Sequence, residues 1–549
     1  MSDPGAGPAS EQMSSPTSEP VDEPVFYVTT PIYYPNADPH IGSAYTTVAG
    51  DLLCRFRRLQ GRTVHYLTGT DEHGQKILQT AEAAGMKPLD FLDSIIPRYK
   101  EAWAHLEINY DDFIRTTEER HETSVGRFVQ DLYDRDDIYL GTYEGLYCVG
   151  CEAFKLPDEL VDGKCPLHDT VPDVLKEDNY FFRLSAYRER LIELYTSQPE
   201  RLQPESRRNE ILGKLNIGLD DLSVSRVSFD WGVPVPWDPK HVIYVWVDAL
   251  LNYITAVGYG YDDEKFKRIW PASVHLVGKD ILWFHSVIWP AMLMALEVPL
   301  PETVYAHGYL QVGGQKMSKS RATAIHPTEL TKVFGVDGYR YHFMRDFSFG
   351  QDGNFSYEGM VARYNSDLAN DLGNLVARVL SMIGRYLDGR IPEPPAPDEG
   401  TDAEEALIAT QRDAFAGMES AIDEVAPHEA LKSCWKFVRK ANAYVEEVTP
   451  WVLAKDPASR RRLEVVLYML ADSLRLLALM TSPIMPSAAQ GLWERLGLEG
   501  SVTDRRYATD VLWLLLPAGA QVAAGAAMFP RIEDDPVDDG IGDPADTSA

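Results

Sequence analysis

Cysteine is scarce in this chain. There are five in 549 residues, too few for the disulfide framework of a secreted protein, and Cys148, Cys151 and Cys165 fall in one short stretch. Positive charge is also in short supply: 52 Lys and Arg stand against 83 Asp and Glu, a net charge of −31. Overall charge therefore cannot draw a nucleic acid, and any such partner must meet a local basic surface. Long apolar runs are missing too. The longest tract, 511–529, is broken by Pro517, Gly519, Gln521 and Gly525, which predicts a strand and loop rather than a membrane span. The start of the chain lacks the basic and apolar regions of a signal peptide, so a cytoplasmic protein with no membrane partner is expected. Residues 1–24 hold no Lys or Arg, and 531–549 carry one Arg among seven acids; both stretches are expected to be disordered tails.

What is present suffices for large cores: 45% of residues are hydrophobic and 11% aromatic, and the length suggests about three domains. A β-rich run at 25–29 precedes a loop punctuated by Pro and Gly at 31–42. In 43–60, Ala44, Val48, Leu52 and Phe56 recur at four-residue steps, as on one helical face, and a second β-rich run follows at 63–67. Strand, loop, helix and strand make a βαβ unit, hence a parallel sheet with ligands at the carboxyl ends of its strands. The pattern returns as strands at 274–278 and 303–306 with a helix over 281–296 between them. The predicted fold is α/β. A Rossmann-like parallel-sheet domain in two halves, 25–109 and 234–303, is split by an insertion at 110–233. A linking segment at 304–356 leads to an all-α bundle at 357–530. Helices over 365–387, 403–424, 427–448 and 460–479 build that bundle, with the Pro-rich, acidic 391–400 connecting two of them.

Three constellations carry chemistry. Asp38-Pro-His-Ile-Gly-Ser43 opens a helix directly after a strand. Backbone N–H groups there face a phosphate with positive potential, Gly42 permits close approach, and His40 can bond an oxygen whose charge grows in a transition state. Gly313-Gly-Gln-Lys-Met-Ser-Lys-Ser320 is a cationic loop whose Lys316 and Lys319 suit a departing pyrophosphate. Taken singly, the first motif could be a loop cap and the second a solvated lysine loop. Cys148-Val-Gly-Cys151 and Cys165-Pro-Leu-His168 have the spacing of a closed Cys3His zinc site, a structural one, with Gly150 and Gly163 fitted to its tight turns.

The first two motifs together resemble the HIGH and KMSKS signatures of class I aminoacyl-tRNA synthetases, the second letter for letter at 316–320. Thr30-Pro-Ile-Tyr-Tyr-Pro-Asn36, the run from His241 to Tyr253 and the run from Val277 to His285 resemble the methionyl-tRNA synthetase family, and the similarity extends over 25–533. That resemblance implies ATP-dependent activation of L-methionine to methionyl-adenylate, then transfer to the 3′-terminal adenosine of initiator and elongator tRNA(Met). It implies His40, Lys316 and Lys319 as catalytic residues, with Gly42 and Ser318 completing the ATP site and Mg²⁺ bridging the phosphates. Ile32, Tyr34, Trp246, Leu250, Tyr253, Ile281 and His285 become walls of the methionine pocket, Asp71 the acid that holds the ammonium, and Arg226 a residue at the substrate end of the cleft. Aromatic and aliphatic walls suit an unbranched thioether. Asn374, Arg378 and Trp451 become anticodon readers: the first two are four apart on one helical face, and Pro450 is expected to end a helix and leave Trp451 near the surface.

The chain departs from the family pattern in three places. Ser43 stands where the signature ends in a second His, there is one set of metal ligands for a single Zn²⁺, and an acidic tail stands where many relatives carry an extra RNA-binding, dimer-forming domain. A monomer is expected. Synthetases for valine, isoleucine or leucine usually carry a larger editing insertion, for which there is no room. A zinc-containing RNA-binding protein with a dead nucleotide site is disfavoured by the presence of His40, Asp71, Lys316 and Lys319.

Overall fold

The computed structural model describes residues 24–533 except 152, 156–158, 167, 313–314 and 317–324. The expected tails thus fall almost wholly outside the described residues. At the centre lies a sheet of six parallel strands: β1 (Phe26–Tyr33), β2 (Val64–Thr70), β3 (Asp112–Arg115), β4 (Leu202–Gln203), β5 (Val274–Gly278) and β6 (Val304–His307), in the order β3-β2-β1-β5-β6-β4. The chain steps outward from β1 through β2 to β3, then resumes on the other side of β1 as β5. That reversal opens a crevice beyond the carboxyl ends of β1 and β5, where ligands bind in open parallel sheets.

Helices cover both faces, which is why β5, apolar apart from His275, is buried throughout. On one face α1 (Ile41–Leu59) and α2 (Pro88–His105) pack Val48, Leu52, Phe56, Tyr99 and Trp103 into a core that runs on into the C-terminal bundle. On the other, α3 (Glu119–Asp134) and α4 (Val245–Thr255) contribute to a separate core with Phe128, Leu251 and Trp289. The helix α5 (Pro327–Arg345) leads into the bundle of α6 (Asn374–Tyr386), α7 (Asp402–Asp423), α8 (Pro427–Val448), α9 (Arg460–Thr481) and α10 (Pro486–Arg495). Residues 391–400 form an irregular connection between α6 and α7, as their Pro content requires. Among the described residues no helix is long and apolar enough to cross a membrane.

Several boundaries differ from the sequence reading. β3 and β4, within the stretch read as an insertion, are the outermost strands of the main sheet. Both are edge strands of four and two residues, too short to show a period. What stands apart is an antiparallel sheet built on the pairing of Ile138–Cys148 with Asp173–Phe182. The helix expected over 281–296 is a 3-10 turn, a π turn at Phe284–Ile288 and an α segment at Trp289–Ala295. Pro290 has no N–H to give, so the ladder widens before it. Tyr364–Gly373 is likewise π-helical ahead of α6. Residues 511–529 contain no strand, only one isolated bridge between Arg390 and Gln521.

Candidate active site

The amino end of α1 points into the crevice. His40 is its N-cap, with extended backbone, and its Nδ1 accepts the N–H groups of Gly42 (3.0 Å) and Ser43 (3.4 Å). Ser43 Oγ accepts the N–H of His40 at 3.1 Å and donates to its carbonyl at 2.8 Å. This reciprocal cap, worth about 1 kcal/mol, gives Ser43 a definite role: it holds the start of the helix. Because Nδ1 is an acceptor, the ring carries its proton on Nε2, a donor for an anionic oxygen. A Cβ on residue 42 would lie 2.8 Å from His40 Cε1, so only glycine lets the ring fold back over the helix end.

A cleft of about 370 Å³ adjoins this end, lined by Tyr34, His40, Gly42, Asp280, Ile281 and His307 among others. His307, in that lining, is itself buried. Its Nδ1–H donates to the Gly308 carbonyl at 2.8 Å and its Nε2 accepts from Thr46 at 2.6 Å, while burial lowers its pKa, so the ring is neutral. Leu310, also in the lining, belongs to the strand Leu310–Val312, which pairs antiparallel with Gln315–Lys316. The backbone of Lys316 thereby pairs with Gln311, one residue past the cleft-lining Leu310, whereas Ser318 and Lys319 lie outside the described residues.

Of the residues expected in the methionine pocket, Tyr34 and Ile281 line this cleft, whereas Ile32, Asp71, Trp246, Leu250, Tyr253 and His285 are not part of its lining. Ile32, Tyr34, Trp246, Leu250, Tyr253 and Ile281 fall in one apolar cluster, Leu250 and Tyr253 fully inside it. Trp246, Leu250 and Tyr253 share one face of α4, and Trp246 stacks on Phe284 at 3.9 Å. His285 joins them by accepting the Tyr253 hydroxyl on Nε2 at 2.7 Å while its Nδ1–H donates to the Ile281 carbonyl at 2.9 Å. Burial pulls its pKa down to about 4, which keeps it neutral. Asp71 sits one residue past β2, buried, its N–H donating to the Tyr33 carbonyl at 3.0 Å. Burial raises the pKa of the Tyr253 hydroxyl, against the opposing hydrogen bond of Asn252 and with the help of the Asp71 charge, and keeps it protonated. Asp71 is near enough to Tyr253 for its charge to act on that hydroxyl, and it is not part of the cleft lining. Arg226 is not in the cleft: it is buried with its guanidinium 4.2 Å from the Tyr244 ring, donating to Ser225 O and Ser223 Oγ.

The third constellation also assembles. One ligand atom each from Cys148, Cys151, Cys165 and His168 lies within 4.8 Å of all the others. Cys151 Sγ is 3.5 Å from Cys165 Sγ, and His168 Nδ1 is 3.3, 3.8 and 3.9 Å from the sulfurs of Cys151, Cys165 and Cys148. The edges of a tetrahedral Cys3His zinc site are about 3.5–3.8 Å, given Zn–S near 2.3 Å and Zn–N near 2.0 Å, so the donor set fits zinc. A Cβ at Gly150 would meet the His168 ring at 2.5 Å, which fixes glycine there.

In the bundle, Arg378 on α6 bonds Glu446 of α8, and its guanidinium lies 5.9 Å from the Trp451 ring. Asn374 is exposed one turn earlier. The helix before Trp451 ends at Val448 through the left-handed Thr449, and Pro450 opens the next short turn rather than closing the last. Trp451 remains half-buried.

Sequence reading missed Lys76, Asp280, His307 and Tyr309 in the cleft lining. Asp280 lies inside a stretch that carried the resemblance; Lys76 and Tyr309 had no signal of their own.

Known proteins bear on this arrangement directly. A family profile described as tRNA synthetases class I (M) matches residues 26–170 and 157–380, and one described as the anticodon binding domain of methionyl tRNA ligase matches 394–540. The methionine–tRNA ligase of Streptomyces coelicolor is 52% identical over 526 residues, covering 93% of this chain and 97% of that protein. The crystal structure of Mycobacterium tuberculosis methionyl-tRNA synthetase bound by methionyl-adenylate superposes with a TM-score of 0.87 at 42% identity, covering 92% of this chain and 100% of the other. Its apo form gives 0.82 at 39% identity, covering 93% and 99%. A switch-point cleft capped by His40 and a helical bundle carrying an anticodon-binding match define a class I aminoacyl-tRNA synthetase. Within that class, the chain belongs to the methionyl-tRNA synthetase family.

Proposed function

We propose that the chain activates L-methionine with ATP and esterifies it to tRNA(Met), initiator and elongator alike. A methionine carboxylate oxygen attacks the α-phosphorus of ATP, the bond to the bridging oxygen breaks, and pyrophosphate leaves. A hydroxyl of the terminal adenosine of tRNA then attacks the acyl carbon, and AMP departs. Neither step forms a covalent bond to the enzyme, so orientation and charge stabilisation supply the acceleration. The observation that carries this reading is the helix-capping His40 in a cleft that Tyr34 and Ile281 also line, in a chain of the methionyl-tRNA synthetase family.

In this reading His40 Nε2–H bonds an α-phosphate oxygen and Gly42 lets the nucleotide approach. Lys316, Ser318 and Lys319 close on the leaving pyrophosphate, and Mg²⁺ accompanies the triphosphate as its counter-ion. Asp71 holds the ammonium, while Ile32, Tyr34, Trp246, Leu250, Tyr253, Ile281 and His285 enclose the thioether. Zinc on Cys148, Cys151, Cys165 and His168 pins two turns and has no open ligand position for catalysis. Asn374, Arg378 and Trp451 contact unpaired anticodon bases. The enzyme works as a cytoplasmic monomer.

ATP–pyrophosphate exchange measured with each of the twenty amino acids tests the reading: exchange with methionine alone supports it, and exchange with another amino acid or with none overturns it. Lys319→Ala should lower the activation rate by about 10²–10³ with methionine affinity near wild type. Equal loss in both would assign the defect to folding.

A further inference from the structure

The pocket helix α4 has a second working face. Trp246, Leu250 and Tyr253 look toward the methionine slot, whereas Asp248, Asn252 and Thr255, also at four- and three-residue steps, lie about half a turn round. On that back face the Asp248 carboxylate, 1% exposed, accepts from two histidines at once. His73 Nδ1–H reaches Oδ2 at 2.7 Å and His121 Nε2–H reaches Oδ1 at 2.9 Å. His121, wholly buried on α3, is held from its other side by Thr255 at 2.7 Å. His73, 3% exposed, lies two residues beyond Asp71 and also faces Glu122 at 3.4 Å. The loop between them is tied to its surroundings by Trp231 Nε1–H on the Glu72 carbonyl at 2.7 Å and by Gly74 N–H on the Trp231 carbonyl at 3.1 Å. One carboxylate therefore fastens three elements: α4, α3 and the loop that carries Asp71.

We propose that Asp248 is a positioning residue for amino-acid selection: by bonding His73 and His121 together it sets the distance between Asp71 and the Leu250–Tyr253 wall. The inference rests on the proposed roles of Asp71, Leu250 and Tyr253. An α-amino acid anchored at its ammonium reads side-chain length against the far wall, so a slot whose two ends can shift loses its measure. Asp248, His73, His121 and Thr255 are each bonded within this network, which makes it stiff, and a substitution that unpairs one of them changes spacing before it changes chemistry.

Asp248→Asn keeps shape but removes the negative charge and replaces one acceptor oxygen by an NH₂ donor, so one imidazole must give up the proton it presents there or lose that bond. In ATP–pyrophosphate exchange this variant should raise the KM for methionine about tenfold, leave kcat within about threefold and leave the KM for ATP unchanged, and it should accept norleucine or ethionine at a higher relative kcat/KM. His121→Gln, which spares the His73 contact, should show the same split at smaller amplitude and serves if Asp248→Asn fails to fold. Unchanged methionine KM in folded variants overturns the proposal, as does a parallel rise in the KM for methionine and ATP. Asp71→Asn separates the inference from its foundation: if that variant still binds methionine normally, the pocket reading itself fails.

Discussion

At His285 the direction of two hydrogen bonds decides the charge. The ring gives its Nδ1 proton to a carbonyl and receives the Tyr253 hydroxyl on Nε2, so a protonated ring would lose one partner and gain no anion. Tyr253→Phe removes the donor and leaves Nε2 buried and unbonded, at a cost of about 1–3 kcal/mol. The methionine KM should accordingly rise by about tenfold in pyrophosphate exchange, with the ATP KM unmoved. The pair of His73 and Asp248 titrates in the opposite sense to His285. Burial alone would lower the His73 pKa, but Asp248 and Glu122 outweigh it and raise it from 6.5 to about 10. Burial would raise Asp248, but His73 and His121 outweigh it and hold it at about 2, below its usual 3.8. The raised histidine stabilises the fold fully below pH 6.5 and loses that contribution as pH climbs through about 10. The depressed acid contributes fully above pH 3.8 and loses it as pH falls through about 2. The stability gap between wild type and His73→Gln should therefore shrink as pH is raised from 6.5 to 10, read by urea denaturation. A gap indifferent to pH would show His73 to be uncharged.

Among the elements, the knuckle gives the cleanest test. Cys165→Ser removes one thiolate from a site built of four ligands, so bound zinc, measured by mass spectrometry of the desalted protein, should fall from one per chain to near zero. The loss should also reach the pocket, since Trp246 Nε1–H donates to the Cys151 carbonyl at 3.4 Å. Sequence alone went far here because the ligands are local: two pairs separated by a short loop announce themselves by spacing. The opening of α1 was legible for the same reason, as Pro39 and Gly42 mark the turn around His40. Partners far apart in the chain were not legible. Asp248 meets His73 and His121 across 175 and 127 residues, and no periodicity in any one segment encodes that meeting. β3 and β4 escaped because edge strands of four and two residues hold too few positions to alternate. The pocket walls came from resemblance, since an apolar residue on α4 looks the same whether it faces a ligand or a core.

Over the whole molecule the sheet, rather than the domain boundary, divides the two cores. One core joins α1 and α2 to the bundle helices without a break. A chain ending at residue 356 would expose that face to water, so its soluble fraction on expression should fall well below that of the full chain. At the opposite end, the proposed stacking of Trp451 on an anticodon base, worth about 1–3 kcal/mol, predicts that Trp451→Ala raises the tRNA KM in aminoacylation while pyrophosphate exchange is untouched. Between these ends lies Arg340 on α5, wholly buried. It bonds Asp51 of α1, the Leu106 carbonyl just past α2, and the carbonyls of Pro483 and Ile484 at the turn between α9 and α10. Arg340→Met should cost about 3–5 kcal/mol, measured as a fall in the urea midpoint.

Asp51 lies ten residues beyond Gly42's own turn-opening neighbour Ile41, on the same rigid rod whose tip carries His40. A push at the α9–α10 turn therefore meets a lever rather than a slack tether. One guanidinium thus clamps the bundle to the catalytic half of the chain, at a point roughly 15 Å along α1 from its first residue.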